Sequence, residues 1–154
     1  EGEEILYGDF GVTIDRRRNC GAYTATCFRV RSVATGEQRA VWHLHYTSWP
    51  DFGVPTDQGM LAFLGEIREV RQALGGMDVP VVAHCSAGIG RTGVLIMTDV
   101  ALAKLEAGEL PDLELQLEEL REQRAGLVQT AEQYRFCYSC LVGAMQFSAN
   151  AGSH

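Results

Sequence analysis

The sequence predicts an α/β domain with α+β character, in which helices flank a mixed, twisted β-sheet. Three observations predict this class: an amino-terminal third rich in β-branched and aromatic residues, a short apolar segment joined by a glycine-rich loop to a helix, and helical periodicity through most of the rest. The chain has 154 residues, of which 46% are hydrophobic, so one domain with its own core is expected. We place that domain at residues 1–148 and interpret residues 149–154 as a small, polar tail left by cloning.

The amino-terminal third predicts an antiparallel hairpin. Residues 22–33 are rich in Thr, Val and aromatic residues, residues 34–37 have the composition of a turn, and residues 38–46 alternate polar and apolar side chains. Residues 49–55, Trp-Pro-Asp-Phe-Gly-Val-Pro, contain two prolines and a glycine and therefore predict a loop.

The remainder of the chain predicts four helices and one buried strand. Thr56 is placed to cap the first helix, which runs to about Leu74 with apolar residues three and four apart. Thr130 is placed to cap the last helix, with Gln133 as its capping-box partner. The strand covers residues 79–83, and the other helices cover residues 91–107, 112–124 and 131–147.

The composition excludes several kinds of function. The formal net charge is −7 and Lys104 is the only lysine, so no lysine lies beside the glycine-rich loop for phosphate binding or Schiff-base chemistry. An acidic chain is a poor partner for nucleic acid or anionic membranes, and neither is expected. The five cysteines are an odd number and no run of about 18 apolar residues is present, which favours free thiols and a cytoplasmic location.

Residues 84–93, His-Cys-Ser-Ala-Gly-Ile-Gly-Arg-Thr-Gly, have the composition of a catalytic loop. Their glycines allow successive backbone N–H groups to point into one concavity, and the following helix adds the positive end of its dipole, so the loop suits an anion. The helix amino terminus and nearby cations favour a thiolate at Cys85, which would then act as a nucleophile. Arg91 can hold two oxygens of the same tetrahedral anion.

Two other interpretations of this segment remain open on the residues alone. Residues 88–93 satisfy the dinucleotide-binding pattern GxGxxG, although Cys85, Ser86 and Ala87 intervene before that pattern and no second parallel strand follows. Cys85 taken alone is equally consistent with an ordinary buried thiol in a strand-to-helix turn.

The full string HCSAGIGRTG resembles the signature of the protein tyrosine phosphatases and matches their tyrosine-specific branch closely. The resemblance implies a phosphate-binding loop, in which Cys85 attacks phosphorus and Arg91 holds the phosphoryl oxygens. It also implies that His84 favours the thiolate and that the Thr92 hydroxyl assists the sulfur as it leaves phosphorus. The other substrate-binding residues that it implies in the loop are Ser86, Ala87, Gly88, Ile89 and Gly90.

Two further segments resemble motifs of the same family. Residues 49–55 resemble its mobile Trp-Pro-Asp loop, which implies that Asp51 is the general acid for the leaving phenolate and that Phe52 contacts the substrate. Residues 129–134 resemble its glutamine motif. That similarity implies that Gln129 orients the water that hydrolyses phosphocysteine, with assistance from Gln133.

Two arginines and two cysteines farther along the chain have less specific patterns. Arg121 and Arg124 lie in a segment that resembles the one supporting the phosphate-binding loop in the family, although ion pairs with neighbouring glutamates are an equally good interpretation. Cys137 and Cys140 have the spacing Cys-x-x-Cys, but a zinc site would lack ligands, so buried thiols and no metal site are expected.

The resemblance covers residues 7–147 and favours, within the family, the non-receptor enzymes linked to FERM domains. The family's amino-terminal helices and the loop whose tyrosine stacks on phosphotyrosine have no counterpart here, so we expect an amino-terminal segment to complete the domain. The implied function is that of a signalling hydrolase, which dephosphorylates phosphotyrosine in proteins or peptides through a cysteinyl phosphate and needs no metal or organic cofactor. Attachment to a membrane or cytoskeleton would require domains outside this chain. The alternative is a pseudophosphatase or catalytically silent fragment, which binds phosphotyrosine or another oxyanion without turnover.

Overall fold

The computed structural model describes the backbone of residues 2–76 and 78–151 and the side chains up to residue 146. The chain divides into two units, Glu1–Trp49 and Pro50–His154. Residues 152–154 of the predicted tail lie outside the described residues. Within the described ranges, no helix is both long and apolar enough to cross a lipid bilayer.

The first unit is a four-stranded antiparallel sheet with the strand order β1-β2-β3-β4. Its strands are β1 (Ile5–Tyr7), β2 (Phe10–Asn19), β3 (Tyr23–Ser32) and β4 (Gln38–Tyr46). The hairpin predicted from residues 22–46 is confirmed, because β3 and β4 pair from Tyr23 with Tyr46 to Arg31 with Gln38. Alternate residues of β3 point to the same face, and on one face the side chains of Tyr23, Ala25 and Cys27 are buried.

The predicted mixed sheet is wrong. It required residues 79–83 to form a parallel strand, but these residues have no strand conformation, and no described residue pairs with them. A strand persists only where neighbouring backbone satisfies its N–H and C=O groups, and Pro80 has no N–H to offer. Val81 and Val82 are exposed rather than buried. The predicted strand–loop–helix unit is therefore a loop followed by a helix, and the chain is α+β in organisation.

The second unit contains four helices close to the predicted positions. They are α1 (Asp57–Leu74), α2 (Gly90–Glu106), α3 (Leu113–Gln123) and α4 (Ala131–Ala151). Thr56 caps α1 as predicted, since its Oγ1 accepts a hydrogen bond from the N–H of Gly59 at 3.2 Å. The carboxylate of Asp112 caps α3 by accepting from the N–H groups of Glu114 and Leu115 at 3.0 and 3.1 Å.

Helix α2 lies at the centre of the helical unit and contacts each of the other three helices. Its residues Val94, Met97 and Ala101 are completely buried. Arg68 of α1 forms ion pairs with Asp99 and Glu106 of α2, which hold the two helices together on their polar side. Because α2 is packed along its length, the loop that precedes it ends at a rigid helix.

Candidate active site

Cys85 lies in the loop of residues 84–89, directly before α2, and is partly buried. Burial raises the pKa of its thiol. Hydrogen bonds from the side chain and backbone of Thr92, and from the backbone of Gly88 and Ile89, lower it by more and leave the pKa at about 7 instead of 9.0. The lowered pKa increases the thiolate fraction of Cys85 near neutral pH.

Thr92 stands in the first turn of α2, and its side chain is buried. Its Oγ1 has no hydrogen-bond partner at ordinary distance among the described residues, but the Thr92 side chain makes the largest of the contributions that lower the pKa of Cys85. A hydroxyl beside sulfur stabilises the thiolate by donating a hydrogen bond. The role that the motif implies for Thr92 during turnover stays a prediction.

Arg124 supports the Cys85 loop from the end of α3. Its Nε donates to the carbonyl oxygen of Gly88 at 2.9 Å, and its Nη2 donates to that of Ala87 at 3.5 Å. Gly88 has a φ of +69°, and a Cβ at this position would lie 3.0 Å from Arg124 Nη2, so both the backbone conformation and the nearby guanidinium favour glycine. Among the described residues Arg124 forms no ion pair, which decides against the alternative of a helix-surface pair with glutamate.

Arg91 connects the Trp-Pro-Asp segment to the first turn of α2. Its side chain is exposed, and its Nη2 donates to the carbonyl oxygen of Pro50 at 3.3 Å. Asp51, the next residue, is exposed as well, and Phe52 is 94% exposed. The structure thus brings Arg91 to the backbone beside Asp51, whereas the Phe52 side chain is left in solvent.

Gln129 and Gln133 meet at the first residue of α2. A Cβ on Gly90 would lie 3.1 Å from both Gln129 Oε1 and Gln133 Nε2, so the two amides converge on that glycine. Thr130 caps α4 as predicted, by accepting from the N–H of Gln133 at 3.1 Å. The predicted capping box is wrong in one detail, because Gln133 Oε1 accepts from the N–H of Gln129 at 2.9 Å rather than from that of Thr130.

The remaining predicted site residues make few contacts. His84, Ser86 and Ala87 are exposed. Among the described residues the His84 side chain makes no hydrogen bond, so its influence on the thiolate stays a prediction. Cys137 and Cys140 are completely buried, as expected, and burial raises the pKa of their thiols to about 11 and about 12.

The segment that joins α3 to α4 was singled out from the sequence for Arg121 and Arg124, but its contacts at Val128 were not predicted. Arg121 donates from Nε to the carbonyl oxygen of Leu127 and from Nη2 to that of Val128, both at 2.9 Å. Val128 has a φ of +57°, which a β-branched residue rarely adopts, and its N–H donates to the carbonyl oxygen of Ile89 at 3.0 Å. A Cβ on Gly93 would overlap the backbone nitrogen of Val128. No local pattern in the sequence marks this contact, since valine is an unusual residue for that conformation.

A family model for protein-tyrosine phosphatase matches residues 1–143, and the chain belongs to the protein tyrosine phosphatase family. Among its relatives, human tyrosine-protein phosphatase non-receptor type 14 is 43% identical over 150 residues, an alignment that covers 92% of this chain and 13% of the relative. Rat non-receptor type 21 is 41% identical over 151 residues, with coverage of 94% and 13%. Human non-receptor type 2 is 40% identical over 145 residues, with coverage of 92% and 35%.

These comparisons confirm the family that the motifs at residues 49–55, 84–93 and 129–134 indicated, and the relatives named above are non-receptor types, as expected. The chain spans 13% of the length of types 14 and 21 and about a third of type 2.

Proposed function

We propose that this chain carries the catalytic centre of a cytoplasmic protein tyrosine phosphatase that hydrolyses phosphotyrosine through a cysteinyl phosphate. The observation that carries the proposal is the pKa of about 7 at Cys85, in a loop that directs hydrogen bonds at the sulfur. A buried structural thiol instead has a raised pKa, as Cys137 and Cys140 illustrate. Family membership supplies the reaction class in which such a thiolate is needed.

In the first step the Cys85 thiolate attacks phosphorus, and the bond between phosphorus and the tyrosine oxygen breaks. Asp51 donates its proton to that oxygen, because an unprotonated phenolate would be a poorer leaving group. Arg91 and the backbone N–H groups of residues 86–90 stabilise the charge on the non-bridging oxygens. Phe52 contacts the aromatic ring of the bound substrate, which covers its exposed side chain.

In the second step water attacks phosphocysteine and inorganic phosphate leaves. The Asp51 carboxylate accepts the proton of that water, and the Thr92 hydroxyl stabilises the sulfur that regains its charge. Gln129 and Gln133 orient the water by donating and accepting hydrogen bonds without adding charge. Their convergence on Gly90 supports this assignment.

The second candidate function is that of an oxyanion-binding chain without turnover. The exposed positions of Asp51 and Phe52 favour it, because a general acid and a substrate contact act only when they face the bound phosphate. In that case Cys85, Arg91 and the loop would still bind a tetrahedral anion.

Hydrolysis of a small aryl phosphate by the reduced chain tests the proposal. We expect turnover that Cys85→Ser abolishes and that the matched variant Cys20→Ser leaves unchanged, because Cys20 lies in the sheet unit near the end of β2. Asp51→Ala should lower kcat strongly with little change in substrate affinity, since the acid acts on the leaving group. Absence of turnover combined with calorimetric binding of vanadate would establish the silent anion-binding function, and absence of both would contradict the whole assignment.

A further inference from the structure

Val128 holds an unfavourable backbone conformation in a completely packed position. Its φ is +57°, and its side chain is only 1% exposed. A β-branched residue rarely adopts this region, so the surroundings must enforce the conformation. Strain of this kind persists where neighbouring contacts determine the backbone position more strongly than local preference does.

Three contacts enforce the conformation of Val128. The N–H of Val128 donates to the carbonyl oxygen of Ile89, the last residue before α2. Gly93, one turn into α2, has no Cβ and so allows the Val128 backbone to approach the helix directly. The guanidinium of Arg121 donates to two successive carbonyl oxygens, those of Leu127 and Val128, at 2.9 Å each.

The guanidinium of Arg121 is suited to this contact by its shape. Its donors form a rigid, planar fork that matches two acceptors at fixed spacing, whereas a lysine ammonium is a single point charge on a flexible stem. Since Arg121 is anchored in α3 and Val128 is held at α2, the fork fixes the segment between α3 and α4.

The residue that follows this fixed backbone is Gln129, whose N–H is held by Gln133 Oε1 and whose own Oε1 approaches Gly90. We infer that Arg121 is a positioning residue for the hydrolysis of phosphocysteine: by holding Val128 in its left-handed conformation, it sets where the Gln129 amide meets the attacking water. The inference rests on the proposed function and assigns to Arg121 a task different from that of Arg124, which contacts the Cys85 loop itself.

Rapid-mixing kinetics with an aryl phosphate separate the two chemical steps. In Arg121→Lys the burst of aryl alcohol, which reports attack by Cys85, should stay within about twofold of the native rate. Hydrolysis of phosphocysteine should slow by about tenfold to a hundredfold, because misplacement of a positioning group by about 1 Å has effects of this size. Phosphocysteine should then accumulate and be detectable by mass spectrometry of the quenched chain. The matched control is Arg135→Lys, at an exposed position of α4, which should change neither step.

Amide hydrogen exchange measured by NMR tests the same contact without any need for turnover. The Val128 amide should exchange faster in Arg121→Lys than in the native chain or in Arg135→Lys. Equal slowing of both chemical steps, no slowing of hydrolysis, or unchanged protection of the Val128 amide would each overturn the inference. An inactive native chain would contradict the proposed function instead, and the exchange measurement would still decide whether Arg121 fixes Val128.

Discussion

Replacement of Thr92 by valine tests the origin of the Cys85 thiolate. The substitution removes one hydroxyl and keeps the backbone N–H, so three of the four hydrogen-bonding contributions to the lowered pKa remain. Those contributions together lower the pKa by about two units and also offset the opposing effect of burial. The Thr92 side chain contributes the most of the four. Loss of a hydrogen bond worth about 1 kcal/mol should raise the pKa of Cys85 and lower its ionisation constant by about fivefold.

The rate of Cys85 alkylation by iodoacetamide, followed by mass spectrometry from pH 5 to 10, measures the thiolate fraction because the thiolate is the reacting species. The midpoint should lie at about pH 7 in the native chain and higher in Thr92→Val. Thr98→Val is the matched control, since Thr98 is also buried in α2 but interacts with Cys137. An unchanged midpoint in Thr92→Val, or an equal displacement in both variants, would refute the assignment of the pKa shift to the Thr92 hydroxyl.

Three further outcomes are expected. The dependence of kcat/KM on pH should be bell-shaped with its maximum on the acid side of neutrality, because Cys85 must be ionised while Asp51 must be protonated; a rate that rises steadily to pH 9 would argue against Asp51 as the acid. In thermal unfolding, Gly93→Ala should lose about 1–3 kcal/mol, since its Cβ would overlap backbone, whereas Gly65→Ala, with open space around it, should gain about 0.5–1 kcal/mol. Asp112→Ala should lose about 1 kcal/mol in the same assay, because it removes the cap of α3; an unchanged melting curve would contradict that role.

Local chemistry explains why much of the fold was predictable from the sequence. The hairpin of β3 and β4 and the caps at Thr56 and Thr130 follow from residue types at fixed offsets, and each was found where the pattern placed it. The segment 79–83 was mispredicted because its apolar, β-branched composition describes a strand only when a second strand is available to pair with it. The residue composition of a segment indicates a preference for strand conformation, but it does not indicate whether a second strand is available to pair with it.

Part of the candidate site was likewise predictable from the sequence, and part was not. The residue types of the motifs indicated the family, and the structure gives Cys85 the lowered pKa that its loop composition favours. The fork of Arg121 on two carbonyl oxygens was beyond prediction, because it depends on the path of the chain between α3 and α4 rather than on residue spacing. The same is true of the left-handed Val128, whose residue type disfavours the conformation that the surrounding contacts impose.

The close approach of Val128 to Gly93 also bears on how such sequences are classified. A side chain at position 93 would strike backbone atoms, which cannot move aside as a flexible side chain can, so purifying selection for folding alone would retain this glycine. The last glycine of HCSAGIGRTG is therefore accounted for by the contact between Val128 and α2, and its presence alone is not evidence of catalysis.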